Sequence, residues 1–180
     1  LAQHFQRHGY RTEGVGKIFH VGHGNHEDPA SWSVPHYQAK TVQHALKENQ
    51  GPTREGARFD GKNPGGLPKG AAAECADVPD ETYGDGLIAA EAIRRLQAAK
   101  ARPETPFFLA VGFLKPHLPF VAPKKYWDMH DPDKLPQPTR ATPPDGAPEF
   151  APTTWGELRQ YSDIPETGPL SADQQRHLVH

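Results

Sequence analysis

A chain of 180 residues with a formal net charge of −2 has the length of one domain. Leu, Ile, Val and Phe number 32 of those residues, about 18%, against the ~20% below which a folded core becomes thin, so a partial domain with long loops accounts for the composition. The near-balanced charge excludes the broad basic field of a nucleic-acid binder, no apolar run approaches the ~18 residues of a membrane span, and a single cysteine excludes an internal disulfide framework or a four-cysteine zinc site.

In chain order, Leu1, Phe5 and the polar residues between them fit the end of an amphipathic helix that Gly9 closes in the left-handed conformation. Tyr10–Val15 is the next expected strand, and helix, glycine, strand is the returning half of a βαβ unit. The segment Gly16-Lys17-Ile18-Phe19-His20-Val21-Gly22 begins at that strand's carboxyl end. From Gly22 to about Asp85 no period of 3.6 or 2 is sustained and Gly, Pro, Asn and His recur, which predicts a long loop region that covers part of a site mouth. Trp32 and Tyr37 are expected to anchor it by packing, with ligand contact as the alternative.

Asp85 opens a clearer helix, with Ile88, Ala89, Ala92, Ile93 and Leu96 on one stripe. Asp85 is its expected N-cap, and Arg94, Arg95 and Lys100 lie towards the negative end of its dipole. This helix is the crossover into Phe107–Phe113, an apolar run of strand length that predicts a strand of a parallel sheet covered on both faces. Pro116 and Pro119 stop that strand. Beyond it, Pro123–His130 suggests a short helix with Pro at its first position, and Asp131–Pro152 an irregular proline-rich stretch. Trp155–Tyr161 suggests a helical turn, and Ser171-Ala172-Asp173-Gln174 a capped helix start.

Ligands of open α/β sheets bind beyond the carboxyl ends of the strands, where Lys17 and His20 on one side and Lys115 and His117 on the other are expected. Four potential cations would converge there, two of them able to move protons near neutral pH. Such a pocket suits a tetrahedral oxyanion. A sulfate or phosphate ester needs positive charge on its non-bridging oxygens and an acid for the leaving alcohol, and Lys plus His provide both. The alternative is a strand that runs into a proline-rich turn with a solvated Lys and His. Cys75 has no adjacent strand end and no neighbouring Arg or Lys, and is expected to be an inert thiol. His20, His23 and His26 stand three apart before Glu27 and Asp28, but Gly22 and Gly24 interrupt the series and no metal site is assigned to it.

The segment Gly16–Gly22, then Ser31-Trp32-Ser33, then Phe107–Phe113 followed by Lys115-Pro116-His117-Leu118-Pro119-Phe120, together resemble the type I sulfatases, and within them the iduronate-2-sulfatase-like branch. Order and rough separations agree along nearly the whole chain. The resemblance implies an α/β, alkaline-phosphatase-like fold with a mostly parallel sheet and long loops, and makes residues 1–180 a partial N-terminal catalytic domain truncated at both ends. It implies hydrolysis of the sulfuric ester of a sulfated sugar or glycan, a calcium ion (Ca2+), and a formylglycine made from the cysteine of a Cys-x-Pro-x-Arg motif. Carried over motif by motif, Lys17 and His20 match the family's sulfate-site lysine and histidine, and His117 matches the histidine after the later strand. Lys115 adjoins that match as a substrate contact. Neither Cys-x-Pro-x-Arg nor the paired upstream aspartates nor the downstream Asp-His segment occurs here. The calcium ligands and the formylglycine cysteine are therefore expected outside this chain, Cys75 is not the precursor, and the segment alone is expected to be inactive. A secreted, periplasmic or lysosomal location is what the family implies. The alternatives are a phosphoesterase or phosphonate hydrolase of the same superfamily, and a noncatalytic glycan-binding relative.

Overall fold

The computed structural model describes residues 1–21, 24–51, 70–136, 142, 144–151 and 156–180. Its helices and strands, in chain order, are α1 (Ala2–Arg7), β1 (Arg11–Gly16), β2 (Ala73–Glu74), α2 (Gly84–Lys100), β3 (Phe107–Gly112), β4 (Phe120–Val121), α3 (Lys124–Trp127) and α4 (Ala172–Val179). They fall into two compact units, Leu1–Ala45 with Val78–His117 and Leu46–Asp77 with Leu118–His180.

The first unit is built on one βαβ pairing. β1 and β3 run parallel, in register from Arg11 opposite Phe107 to Gly16 opposite Gly112, with α2 in the connection between them. α1 ends at His8, and Gly9 takes a φ of +83°, the left-handed turn expected of it. Phe5 stacks on Phe108 with ring centroids 4.8 Å apart, which fixes α1 against β3. β1 is buried at five of its six positions although it reads Arg-Thr-Glu-Gly-Val-Gly. Pairing permits a carboxylate there: Glu13 Oε1 accepts from Arg11 Nε at 2.5 Å, and Oε2 lies 3.0 Å from Arg95 Nη1. An unpaired charge would be costly at that depth.

Two expectations for this unit are corrected. On α2 the buried positions are Ile88, Ala92 and Arg95, whereas Ile93 and Leu96 are exposed. The stripe turns because Arg95 faces inward, with Nε 2.7 Å from Glu91 Oε1 as well as its contact to Glu13. Arg94 and Arg95 thus serve ion pairs on the helix flank rather than its carboxyl end. β3, expected to be covered on both faces, leaves Phe107 and Val111 exposed, and Phe113 beyond it is 52% exposed. Strand alternation puts Phe107 and Val111 on one side, and among the described residues β1 is the only strand paired with β3.

Where it is described, the long region between β1 and α2 contains only β2 and single 3₁₀ turns at Pro29–Ser31, Lys47–Asn49 and Asp80–Thr82. That agrees with its missing periodicity; residues 52–69 lie outside the described residues. The turn at Pro29–Ser31 is held by Asp28, whose Oδ2 accepts from Ser31 Oγ and from Gln3 Nε2, each at 2.6 Å. These bonds, Ser31's first, hold the Asp28 carboxyl below the usual range. Residues 33–37 then run along the other edge of β1: Ser33 N–H donates to Thr12 O at 2.7 Å, Tyr37 N–H to Gly14 O at 3.0 Å, and Gly16 N–H to Tyr37 O at 2.8 Å. Trp32 is buried, with its ring against Gly14 and 5.8 Å from that of Phe19. It packs, as expected, and Tyr37 anchors the segment through its backbone.

In the second unit β2 and β4 pair in parallel, Ala73 opposite Phe120 and Glu74 opposite Val121. Ala72, Tyr161 and Ile164 form a small buried cluster, and Asp163 Oδ1 accepts from Ala72 N–H at 2.8 Å. α4 begins with the expected capping box: Ser171 Oγ accepts from Gln174 N–H, and Gln174 Oε1 accepts from Ser171 N–H. α3 is shorter than its sequence suggests, with Pro123 at the N-cap rather than at the first helical position. The turn expected from Trp155 is a 3₁₀ helix at Leu158–Gln160; Trp155 itself lies outside the described residues.

Candidate active site

β1 and β3 end level, Gly16 opposite Gly112, so the chain leaves the sheet twice at one place. Lys17 N–H donates to Gly112 O at 2.8 Å, the last rung before the two segments diverge. Both terminal residues need to be glycine. Gly16 has a φ of +79°, and a Cβ there would collide with the Gly112 carbonyl oxygen, while a Cβ on Gly112 would collide with the Lys17 carbonyl oxygen. This close approach sets the roots of the Lys17–His20 and Leu114–His117 segments side by side.

Lys17 is half-buried immediately after β1, and His20, three residues on, is exposed. Lys115 and His117 are both half-buried in the turn after β3. Lys115 Nζ donates to His117 O at 2.9 Å and His117 N–H to Leu114 O at 2.9 Å, so the lysine helps close the turn that presents the histidine. The two segments thus leave the sheet from adjacent strand ends, Lys17 and His20 following β1 and the Lys115–His117 turn following β3. His23 lies outside the described residues. Among the described residues no group of three or more His, Cys, Asp or Glu side chains is placed to hold a metal ion. Cys75 is exposed.

Two residues of this region have roles that the sequence patterns do not mark. Asp85, expected at the N-cap of α2, stands in its first turn; the N-cap is Tyr83, which makes no side-chain cap bond. The Asp85 carboxylate is directed instead at the turn after β3, where Oδ1 accepts from Leu114 N–H at 2.7 Å and Oδ2 from Lys115 N–H at 3.0 Å. An acid between Gly84 and Gly86 was the available signal, but its partners are 29 and 30 residues away. The second is His36, whose side chain is almost wholly buried, with Nδ1 2.5 Å from Glu27 Oε1 and Nε2 2.8 Å from Gly16 O. It steadies the carbonyl from which the Lys17 segment departs. Its ring lies 5.5 Å from that of Trp32 and 6.4 Å from that of Phe19.

No family model matches the chain. Over 187 residues it is 35% identical to iduronate 2-sulfatase of Mus musculus, and over 188 residues 34% identical to that of Homo sapiens. Each comparison covers 99% of this chain and 32% of the relative, so the chain spans about a third of the length of these curated relatives. It is also 38% identical over 76 residues to PehA, a multifunctional alkaline phosphatase superfamily protein of Trinickia caryophylli, which covers 42% of this chain and 14% of that protein. Parallel strands joined through helices agree with a partial α/β domain of that superfamily. These similarities support reading the chain as an iduronate-2-sulfatase-like sulfatase segment.

Proposed function

We propose that the protein to which this segment belongs hydrolyses the sulfate ester of a sulfated sugar in a glycosaminoglycan or related polysaccharide. The observation that carries the reading is 34–35% identity over 99% of the chain with two proteins named iduronate 2-sulfatase. The level ends of β1 and β3 support it, because they give Lys17, His20 and His117 a common origin for approaching one anion. The family resemblance also implies a calcium ion and a formylglycine. The described residues do not fit a metal cluster, and Cys75, in Glu74-Cys75-Ala76-Asp77, does not fit a formylglycine precursor. Both groups are assigned to parts of the protein outside these residues.

Within this segment the Lys17 ammonium pairs with non-bridging sulfate oxygens in ground and transition states alike. The His117 imidazolium gives its proton to the sugar oxygen as the S–O bond breaks, and so acts mainly in the transition state. Lys115 borders the sulfate while its Nζ holds the turn. In the complete enzyme His117→Ala is expected to lower kcat on a sulfated sugar by about 10²–10⁴-fold, the usual loss for a general acid. Lys17→Ala is expected to raise KM as well. An unchanged kcat for His117→Ala would transfer the acid role to His20. The identity with PehA favours one other reading, a phosphoesterase. Sulfate and phosphate monoesters of the same alcohol, compared by kcat/KM, separate the two.

A further inference from the structure

We propose that Asp85 is a positioning residue for the candidate active site: its carboxylate fixes the turn from Leu114 to His117, and so the direction in which Lys115 and His117 leave β3. The inference rests on the sulfatase reading above and extends it to a residue on a different element.

An acid in the first turn of a helix ordinarily complements the helix dipole or caps the helix's own N–H groups. Asp85 does neither in the usual way, since both its oxygens are engaged by N–H groups of the turn beyond β3, Leu114 at 2.7 Å and Lys115 at 3.0 Å. Hydrogen bonds from N–H groups to an ionised carboxylate are about twice as strong as neutral ones. The two N–H groups belong to the residues that define the turn. Leu114 O accepts the His117 N–H at 2.9 Å, and Lys115 Nζ donates to His117 O at 2.9 Å. Anchoring 114 and 115 therefore anchors 117 from both sides.

The carboxylate is itself held in place. A Cβ on Gly86 would collide with the Asp80 carbonyl oxygen, so the start of α2 lies tight against the preceding 3₁₀ turn. On the other side of Asp85, a Cβ on Gly84 would meet Leu114 Cδ1 at 3.5 Å, ordinary contact distance. Displacing a reacting group by about 1 Å can cost ~100-fold in rate. A turn secured to the rigid end of a 17-residue helix suppresses such displacement.

The test uses the complete enzyme carrying Asp85→Asn or Asp85→Ala. The carboxamide keeps one acceptor oxygen and turns its NH₂ towards the other N–H, so it should retain about half of the anchoring. On a sulfated sugar, kcat is expected to fall ~100-fold for Asp85→Ala and ~10-fold for Asp85→Asn, with KM changed by less than about threefold. Amide hydrogen exchange should quicken at Leu114 and Lys115 while the β1–β3 amides stay protected. The proposal is overturned if exchange quickens at those two amides and kcat does not change. It is overturned equally if kcat falls only together with protection across the β1–β3 ladder, which would be a merely structural effect. Wild-type enzyme that turns over phosphate esters but not sulfate esters would defeat the sulfatase reading alone, and the same kcat comparison on the phosphate ester would then decide for Asp85. Wild type inactive on both esters would defeat both.

Discussion

At Gly112 one hydrogen atom occupies the place where a methyl group would strike the Lys17 carbonyl oxygen. Gly112→Ala is therefore expected to destabilise the segment by about 3 kcal/mol, as overpacking against backbone does, measured as a fall in the urea midpoint with an unchanged slope. The same substitution should lower activity of the complete enzyme beyond its effect on stability, because it separates the two strand ends. At this scale the sequence was legible wherever meaning is local. Lys115 and His117 stand out because a charge follows an apolar run, Lys17 and His20 because they follow the carboxyl end of an expected strand, and Gly9 because a glycine follows a helix. Asp85 stands out only as a helix start and His36 not at all. The Asp85 partners lie 29 and 30 residues away, so those bonds exist only once α2 and the turn after β3 have met, and His36 reaches Gly16 across 20 residues and Glu27 across nine.

Among the elements, α2 shows how a buried ion pair redirects a helix. Glu91 Oε1 receives Arg94 Nη2 at 2.6 Å and Arg95 Nε at 2.7 Å, and hydrogen bonding, Arg94's first, pulls its carboxyl from the ordinary 4.5 down to about 2. A carboxyl depressed on folding stabilises the folded state above its unfolded pKa, and the contribution is lost as pH falls from about 4.5 towards 2. Because Arg94 is largely exposed, solvent screens the pair. Glu91→Gln is expected to cost about 1 kcal/mol at pH 7, and urea titrations at successively lower pH should show wild type and variant converging below pH 4.5. The long segment before α2 also behaves as an element, sewn to β1 by the Ser33 and Tyr37 backbones and held down by Trp32. Trp32→Ala should destabilise the first unit by about 3–5 kcal/mol, seen as loss of amide protection at Thr12 and Gly16. Periodicity located α2 correctly but misplaced part of its buried stripe, since no apolar count anticipates that Arg95 turns inward to two carboxylates.

For the whole molecule, the low share of Leu, Ile, Val and Phe corresponds to two small units rather than one broad core, and the buried cluster of the second holds only Ala72, Tyr161 and Ile164 with partly buried leucines around it. The α/β class was legible from the order helix, strand, helix, strand. The exposure of β3 was not, because an apolar run reports what a strand prefers to touch and not whether anything covers it. Phe107 and Val111 on β3, and Phe113 just beyond it, are exposed, and the strand is paired along one edge among the described residues. The run Phe107–Phe113 has no charge and no proline, the composition from which steric zippers grow when such strands stack in register. A 180-residue chain expressed by itself should therefore assemble into cross-β aggregates, detectable as thioflavin-binding fibrils after a lag. Phe113→Lys places a gatekeeper charge at the exposed end of this apolar run and should lengthen that lag several-fold, while leaving the β1–β3 register untouched.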